Sequence, residues 1–418
     1  MRIVLKIFVG LIVLVAALFM ALLIHLRIGP TGPVPKVDPI VTLNQQHANL
    51  AENGAPLYLA AHELYVPAPD EDWLRGDVDW STEADAITTW LEQNAACIEQ
   101  TRAAGEIPEC WFELSRDADG WVDLPYVSEV KTLMRFWHLR GVLAAERHDL
   151  PTLEDTLRTR DNISCHLLQQ PFIIPHLIGI VGKVYVQDFV LKPFTWTELS
   201  DEGRAAYFER IKYVFEPPPT AVAAIQTERD EMCWNPWYRG DEPALFMPLH
   251  RFAGELDRYL TPQLKLAAQR PERQLDPENP LRKELHQLHS WTPSLSNPVR
   301  SELVGRIPAF SRALEIRARL VATQRGNQTV AEIFKYRHEH GRLPESLDVL
   351  QGEHIIDPYT AKPFLYRVTD EGFTLYSAGI DRDDDGGVHH LRWGRQRGEE
   401  GKERPPPDGD YVFWPLPE

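Results

Sequence analysis

The sequence predicts a mostly α protein: an N-terminal transmembrane helix, an irregular α-helical array, and a small C-terminal α+β module with a short antiparallel sheet. Residues Ile7 to Leu26 form a run of 20 residues without a charge. From about Leu43 to Phe310, apolar residues recur at the three- and four-residue spacing of amphipathic helices. The C-terminal part is read from a dense set of motifs between Tyr336 and Trp414.

At about 1.5 Å per residue, Ile7–Leu26 is long enough to cross a bilayer core of roughly 30 Å. Arg2 and Lys6 precede it, Arg27 and Lys36 follow it, and the slight basic bias places residues 1–6 in the cytoplasm. The run exceeds the apolar core of a signal peptide, and no small-x-small cleavage site follows. With no Cys just after it, a lipoprotein anchor is also disfavoured. An uncleaved single-pass anchor over residues 7–26 is therefore expected, with the body outside the cytoplasm. Residues 27–42 hold Pro30, Pro33, Pro35 and Pro39 with Gly29 and Gly32, and read as an extended, semi-rigid spacer lifting the body off the membrane.

The net charge of −17 argues against nucleic acid and anionic lipid surfaces as partners for the body. Cys97, Cys110, Cys165 and Cys233 are an even number, which outside the cytoplasm permits disulfides. Cys97–Cys110 is the most local pairing and free buried thiols are the alternative; no pair has the spacing of a zinc site.

Within residues 43–310, Ile87, Trp90, Leu91, Asn94 and Ile98 mark one helix face, with Ser81 or Thr82 as its cap. Val130, Leu133, Met134, Trp137, Gly141 and Ala144 mark a second. Leu153, Leu157, Ile163, Leu167 and Leu168 mark a third that stops near Pro171. The apolar stretch Phe172–Val181 is too short to span a membrane and reads as a central buried helix. Pro217-Pro218-Pro219 breaks the pattern before the aromatic cluster Cys233–Tyr238, which reads as packing around Pro-rich loops rather than a binding surface. Further helices are expected over Leu245–Arg270 and Pro298–Ala322.

The C-terminal module, residues 311–418, contains Tyr336-Arg-His-Glu-His-Gly341-Arg-Leu-Pro344, then Asp357-Pro358-Tyr, then Leu375-Tyr376-Ser-Ala-Gly379-Ile-Asp381-Arg-Asp383-Asp-Asp385-Gly386-Gly387. In this order the motifs resemble the C-terminal half of the major pseudopilin of type II secretion. The resemblance implies a helix ending at Gly-Arg-x-Pro, an Asp-Pro turn leading into short strands, and a calcium loop. It implies Ca²⁺ ligands at Asp381, Asp383 and Asp385, with Asp410 as the later Asp that closes the cage before the last strand. Closely spaced carboxylates on a Gly-rich turn suit a hard cation that takes six to eight oxygens; a solvated acidic turn is the alternative. An EF-hand does not fit, because Arg392 stands where its last ligand belongs. The N-terminus departs from the pseudopilin pattern, since no Glu interrupts Ile7–Leu26, so the module reads as a reused domain. The block His148–Phe194 resembles the middle of uncharacterised membrane-anchored bacterial envelope proteins, a likeness that implies no activity.

Other chemistry finds no pattern. His338 and His340 sit two apart on a helix end; His286 and His289 lack an H-E-x-x-H context; His389-His390 follow the acidic loop. No G-x-S-x-G, P-loop or G-x-G-x-x-G occurs. The leading expectation is a non-enzymatic envelope protein of the cytoplasmic membrane that presents its helical body to an envelope protein partner. The alternatives are an extracytoplasmic hydrolase of envelope polymers and an accessory of a secretion or pilus system.

Overall fold

A computed structural model describes residues 15, 17–21, 28–75, 78–234, 249–289, 298–370, 372–389 and 409–417. The chain is mostly helical and carries a small antiparallel sheet near its C-terminus. Most of Ile7–Leu26 lies outside the described residues; positions 15 and 17–21 are helical, and Val15, Leu18 and Met20 are exposed.

Helices α1 (Pro39–His47), α2 (Ala55–Glu63), α3 (Trp80–Gln93) and α4 (Ala95–Glu106) come first. The single face expected from Ile87 to Ile98 is split between α3 and α4. Asn94 interrupts it: its side chain accepts from the Val66 N–H and donates to the Val66 and Trp90 carbonyls, diverting the chain between the two helices. The cap of α3 is Asp79, two or three residues earlier than expected, because its carboxylate takes both the N–H and the hydroxyl of Ser81. A short hairpin, β1 (Ser115–Arg116) and β2 (Val122–Asp123), leads into α5 (Tyr126–Glu146) and α6 (Leu150–Gln169). These two helices match the second and third expected faces, and α6 ends at Gln169, two residues before Pro171. The central apolar stretch forms α7 (Ile173–Gln187). By length and composition Ile173–Thr195 suits a membrane span, yet 61% of its apolar window is buried inside the fold, which agrees with a core helix.

Then follow α8 (Lys192–Thr195), α9 (Asp201–Ile211), α10 (Val222–Trp234), α11 (Leu249–Ala267), α12 (Pro271–Leu275), α13 (Pro280–His289) and α14 (Pro298–His340). Residues 235–238 of the aromatic cluster lie outside the described residues. Helix α14 runs without interruption through the expected boundary at 310/311. It ends as predicted at Gly341, whose positive φ of 69° suits a residue without a side chain and whose N–H returns to the Arg337 carbonyl.

Strands β3 (Ile356–Asp357) and β4 (Lys362–Pro363) pair around the Asp-Pro turn, and β5 (Leu365–Thr369), β6 (Gly372–Ser377) and β7 (Tyr411–Trp414) form an antiparallel sheet in the order β5-β6-β7. The sheet packs on α14: Phe334 meets the rings of Phe373 and Trp414, and the same core takes in Phe194, Tyr207 and Phe208 of the body. Apolar burial therefore joins the module to the array, so the module does not own a separate core.

Two expectations are corrected. All four cysteines are unpaired thiols. Cys97 lies in the first turn of α4 and Cys110 lies beyond its other end, and both are buried side chains filling apolar space rather than partners. Nor is the Pro/Gly segment a free spacer, because residues 28–34 are docked along α10 and α11. The N–H of Gly32 donates to the His250 carbonyl at 2.8 Å, and the Arg251 guanidinium donates to the carbonyls of Ile28 and Pro30. Arg229 donates to that of Pro33 at 2.6 Å, and Val34 packs on the core beneath. Proline and neighbouring carbonyls lack intrasegment donors in an extended chain, and two buried arginines supply them.

Candidate functional site

Strand β6 delivers the acidic loop. Ser377 ends the strand and Gly379 turns the chain at a φ of 71°. Asp381, Asp383 and Asp384 are exposed, Asp385 is half-buried, and Gly386 and Gly387 bring the chain back with φ of 74° and 84°. Asp410 stands just before β7 and is fully buried. It fastens the two halves: its Oδ2 accepts from the Gly387 N–H at 2.7 Å, and its own N–H donates to the Val388 carbonyl at 2.9 Å. His389 Nδ1 accepts from the Val412 N–H at 3.2 Å and extends the same seam.

Two carboxylate oxygens in this loop, Asp385 Oδ2 and Asp410 Oδ1, are buried and meet no hydrogen-bond donor. A buried carboxylate oxygen left without a donor or counter-charge is costly, even where the other oxygen of the group is bonded. Burial raises the Asp410 carboxyl above its usual range, and the charges of Asp384 and Asp385 add to this against the Gly387 and Asp385 N–H groups. Burial likewise raises Asp381, helped by Asp385 and Asp383 and opposed by the Asp383 N–H. These five carboxylates, Asp381, Asp383, Asp384, Asp385 and Asp410, lie near enough for their charges to add, and the loop is short of positive charge.

The sequence reading placed Asp381, Asp383 and Asp385 on one loop and Asp410 just before the last strand as the residue closing it, and the fold does bring Asp410 against the loop. Among the described residues, however, no group of three or more His, Cys, Asp or Glu side chains stands close enough to hold a metal ion. Any cation held here would draw on backbone carbonyls or on movement of the exposed Asp381 and Asp383. Asp384 went unnoticed in the sequence. Its Oδ1 accepts from the Tyr376 hydroxyl and the Gly386 N–H, both at 3.0 Å, which makes it the residue that shapes the turn. The consecutive run Asp383-Asp384-Asp385 was the available signal.

Sequence reasoning also missed a buried polar cluster. Asp161 receives the Lys183 ammonium on Oδ1 at 2.7 Å and the Cys165 thiol on Oδ2 at 3.7 Å. Burial, then the Asp161 charge, pushes the Cys165 thiol up to about 11, so it stays protonated at neutral pH and is no ready nucleophile. His338 and His340 are exposed at the end of α14, where His340 stacks on Tyr336, and among the described residues neither joins a group of three or more ligand-type side chains. A cavity of about 400 Å³ opens between the docked segment, α1 and α10; of its lining residues only Lys36 and Asp230 are charged.

No protein-family model matches this chain, and no curated protein or solved structure matches it either.

Proposed function

We propose that this chain is a single-pass protein of the inner (cytoplasmic) membrane, with its body in the periplasm or outside, in a non-enzymatic interaction or structural role toward an envelope protein partner. The observation that carries the reading is the apolar N-terminal run: where it is described it is helical, and Val15, Leu18 and Met20 stand exposed rather than packed on the body. Lipid is the medium that would cover such side chains. An alkaline phosphatase fusion after Pro39 is expected to be active, and the intact mass to retain the first residues. An inactive fusion, or a mature N-terminus near residue 30, would overturn it.

The C-terminal module fits the pseudopilin-like reading in its helix stop, Asp-Pro turn and short strands, and calcium is the cation proposed for its loop. The two donorless buried oxygens of Asp385 and Asp410 support this. Calcium would neutralise the crowded carboxylates and tie the loop to β7; magnesium, with its tight octahedral shell, should substitute poorly. Because the module shares its core with the body, the test uses the full chain. Calcium at about 100 times its Kd should stabilise the module by about 2.7 kcal/mol and slow amide exchange in residues 379–389 and 409–414. Asp410→Asn should abolish the calcium response. An unchanged midpoint and unchanged exchange in millimolar calcium would leave only a solvated acidic turn.

A further inference from the structure

The docked segment fixes where the body sits relative to the membrane. We infer that residues 28–33 form a strap that holds the α10–α11 face of the body against the lipid headgroup layer, an inference that rests on the anchoring reading above. Ile28 is only two residues past Leu26, a reach of at most about 7 Å, and its carbonyl is already bound by Arg251 in the first turn of α11. Had residues Gly29 to Pro39 served as a free polyproline spacer, the body would stand up to about 34 Å away.

The strap is built into the body rather than laid on it. Gly254 faces the Pro30-Thr31 backbone so closely that a Cβ there would lie 2.3 Å from the Pro30 oxygen. A Cβ on Gly32 would fall 2.4 Å from Asp257 Oδ2 and 2.8 Å from the Ala253 backbone. Arg251 and Arg229, 3% and 4% exposed, spend their guanidinium hydrogens on strap carbonyls while Glu255 and Asp257 hold them in place. Such a clamp has a clear use in a strongly acidic chain. A net charge of −17 would drive a loosely tethered body away from an anionic bilayer, and the strap holds it there.

The experiment reconstitutes the full chain in vesicles of phosphatidylethanolamine and phosphatidylglycerol with an energy-transfer acceptor on the headgroups. A fluorescent amino acid replaces the exposed His250 as donor. Wild type should show strong transfer, and a long Gly/Ser insertion between Arg27 and Ile28 should lose most of it. Gly254→Ala, which favours the helix but expels the strap, should fall toward the insertion level while circular dichroism stays unchanged. Equal transfer in wild type and insertion variant overturns the proposal. Loss of the chain from the vesicles in an alkaline carbonate wash overturns it too, through the anchoring reading. Amide exchange at Gly32 then separates the two failures: a protected amide means that the strap docks and the anchor is wrong, whereas a fast one means that the docking itself is wrong.

Discussion

Asp357 offers a direct way to test the electrostatics of the C-terminal module. It opens the Asp-Pro turn, is 1% exposed, and accepts from the Tyr359 N–H at 2.9 Å and the Ser377 hydroxyl at 2.8 Å. Burial outweighs these bonds and raises its carboxyl from 3.8 to about 6. The folded protein therefore holds this proton more tightly than the unfolded chain does. The stabilisation it provides is complete below about pH 4 and is lost as the pH rises through about 6. At about 1.4 kcal/mol per pH unit, a displacement of some two units corresponds to about 3 kcal/mol. Asp357→Asn keeps an acceptor for Tyr359, can donate to the Ser377 oxygen, and never ionises. Urea unfolding of wild type and variant should thus give similar stabilities near pH 4, with the variant ahead by about 3 kcal/mol near pH 7. Comparing the two proteins at each pH cancels the other carboxylates. The reasoning fails if the difference between them does not change with pH, or if the variant is the weaker one near pH 7.

Two further substitutions probe the packing that positions the site. Asp161→Ala removes the counter-charge of a Lys183 side chain that is 3% exposed; stranding it should cost about 3–5 kcal/mol in urea unfolding, and Asp161→Ala/Lys183→Met together should recover much of the loss. Gly326→Ala places a methyl 2.3 Å from the Phe413 ring on β7, so overpacking should cost about 1–3 kcal/mol and speed amide exchange in residues 411–414 before the rest of the chain.

The sequence by itself determined the long central helices. The spacing of Val130 to Ala144 and of Leu153 to Leu168 appears in α5 and α6, since a helix face needs only local periodicity and a nonpolar side to bury. The helix stop at Gly341 and the Asp-Pro turn were expected from the motif resemblance, and both are short-range features whose backbone conformation is set within a few residues. Tertiary structure decided what depended on distant partners. Asn94 breaks a continuous apolar face because Val66, 28 residues away, takes its amide. Arg251 and Arg229 turn an apparent spacer into a docked strap across separations of about 200 residues. Cys97 and Cys110, thirteen positions apart, are both buried in one apolar core as unpaired thiols, which their spacing alone could not decide. Asp410 reaches the acidic loop through the β6–β7 pairing, and its one donorless oxygen exists only because that pairing buries it. A local pattern states what a residue would prefer, whereas burial decides which preferences are met, and at Asp385 and Asp410 two are left open.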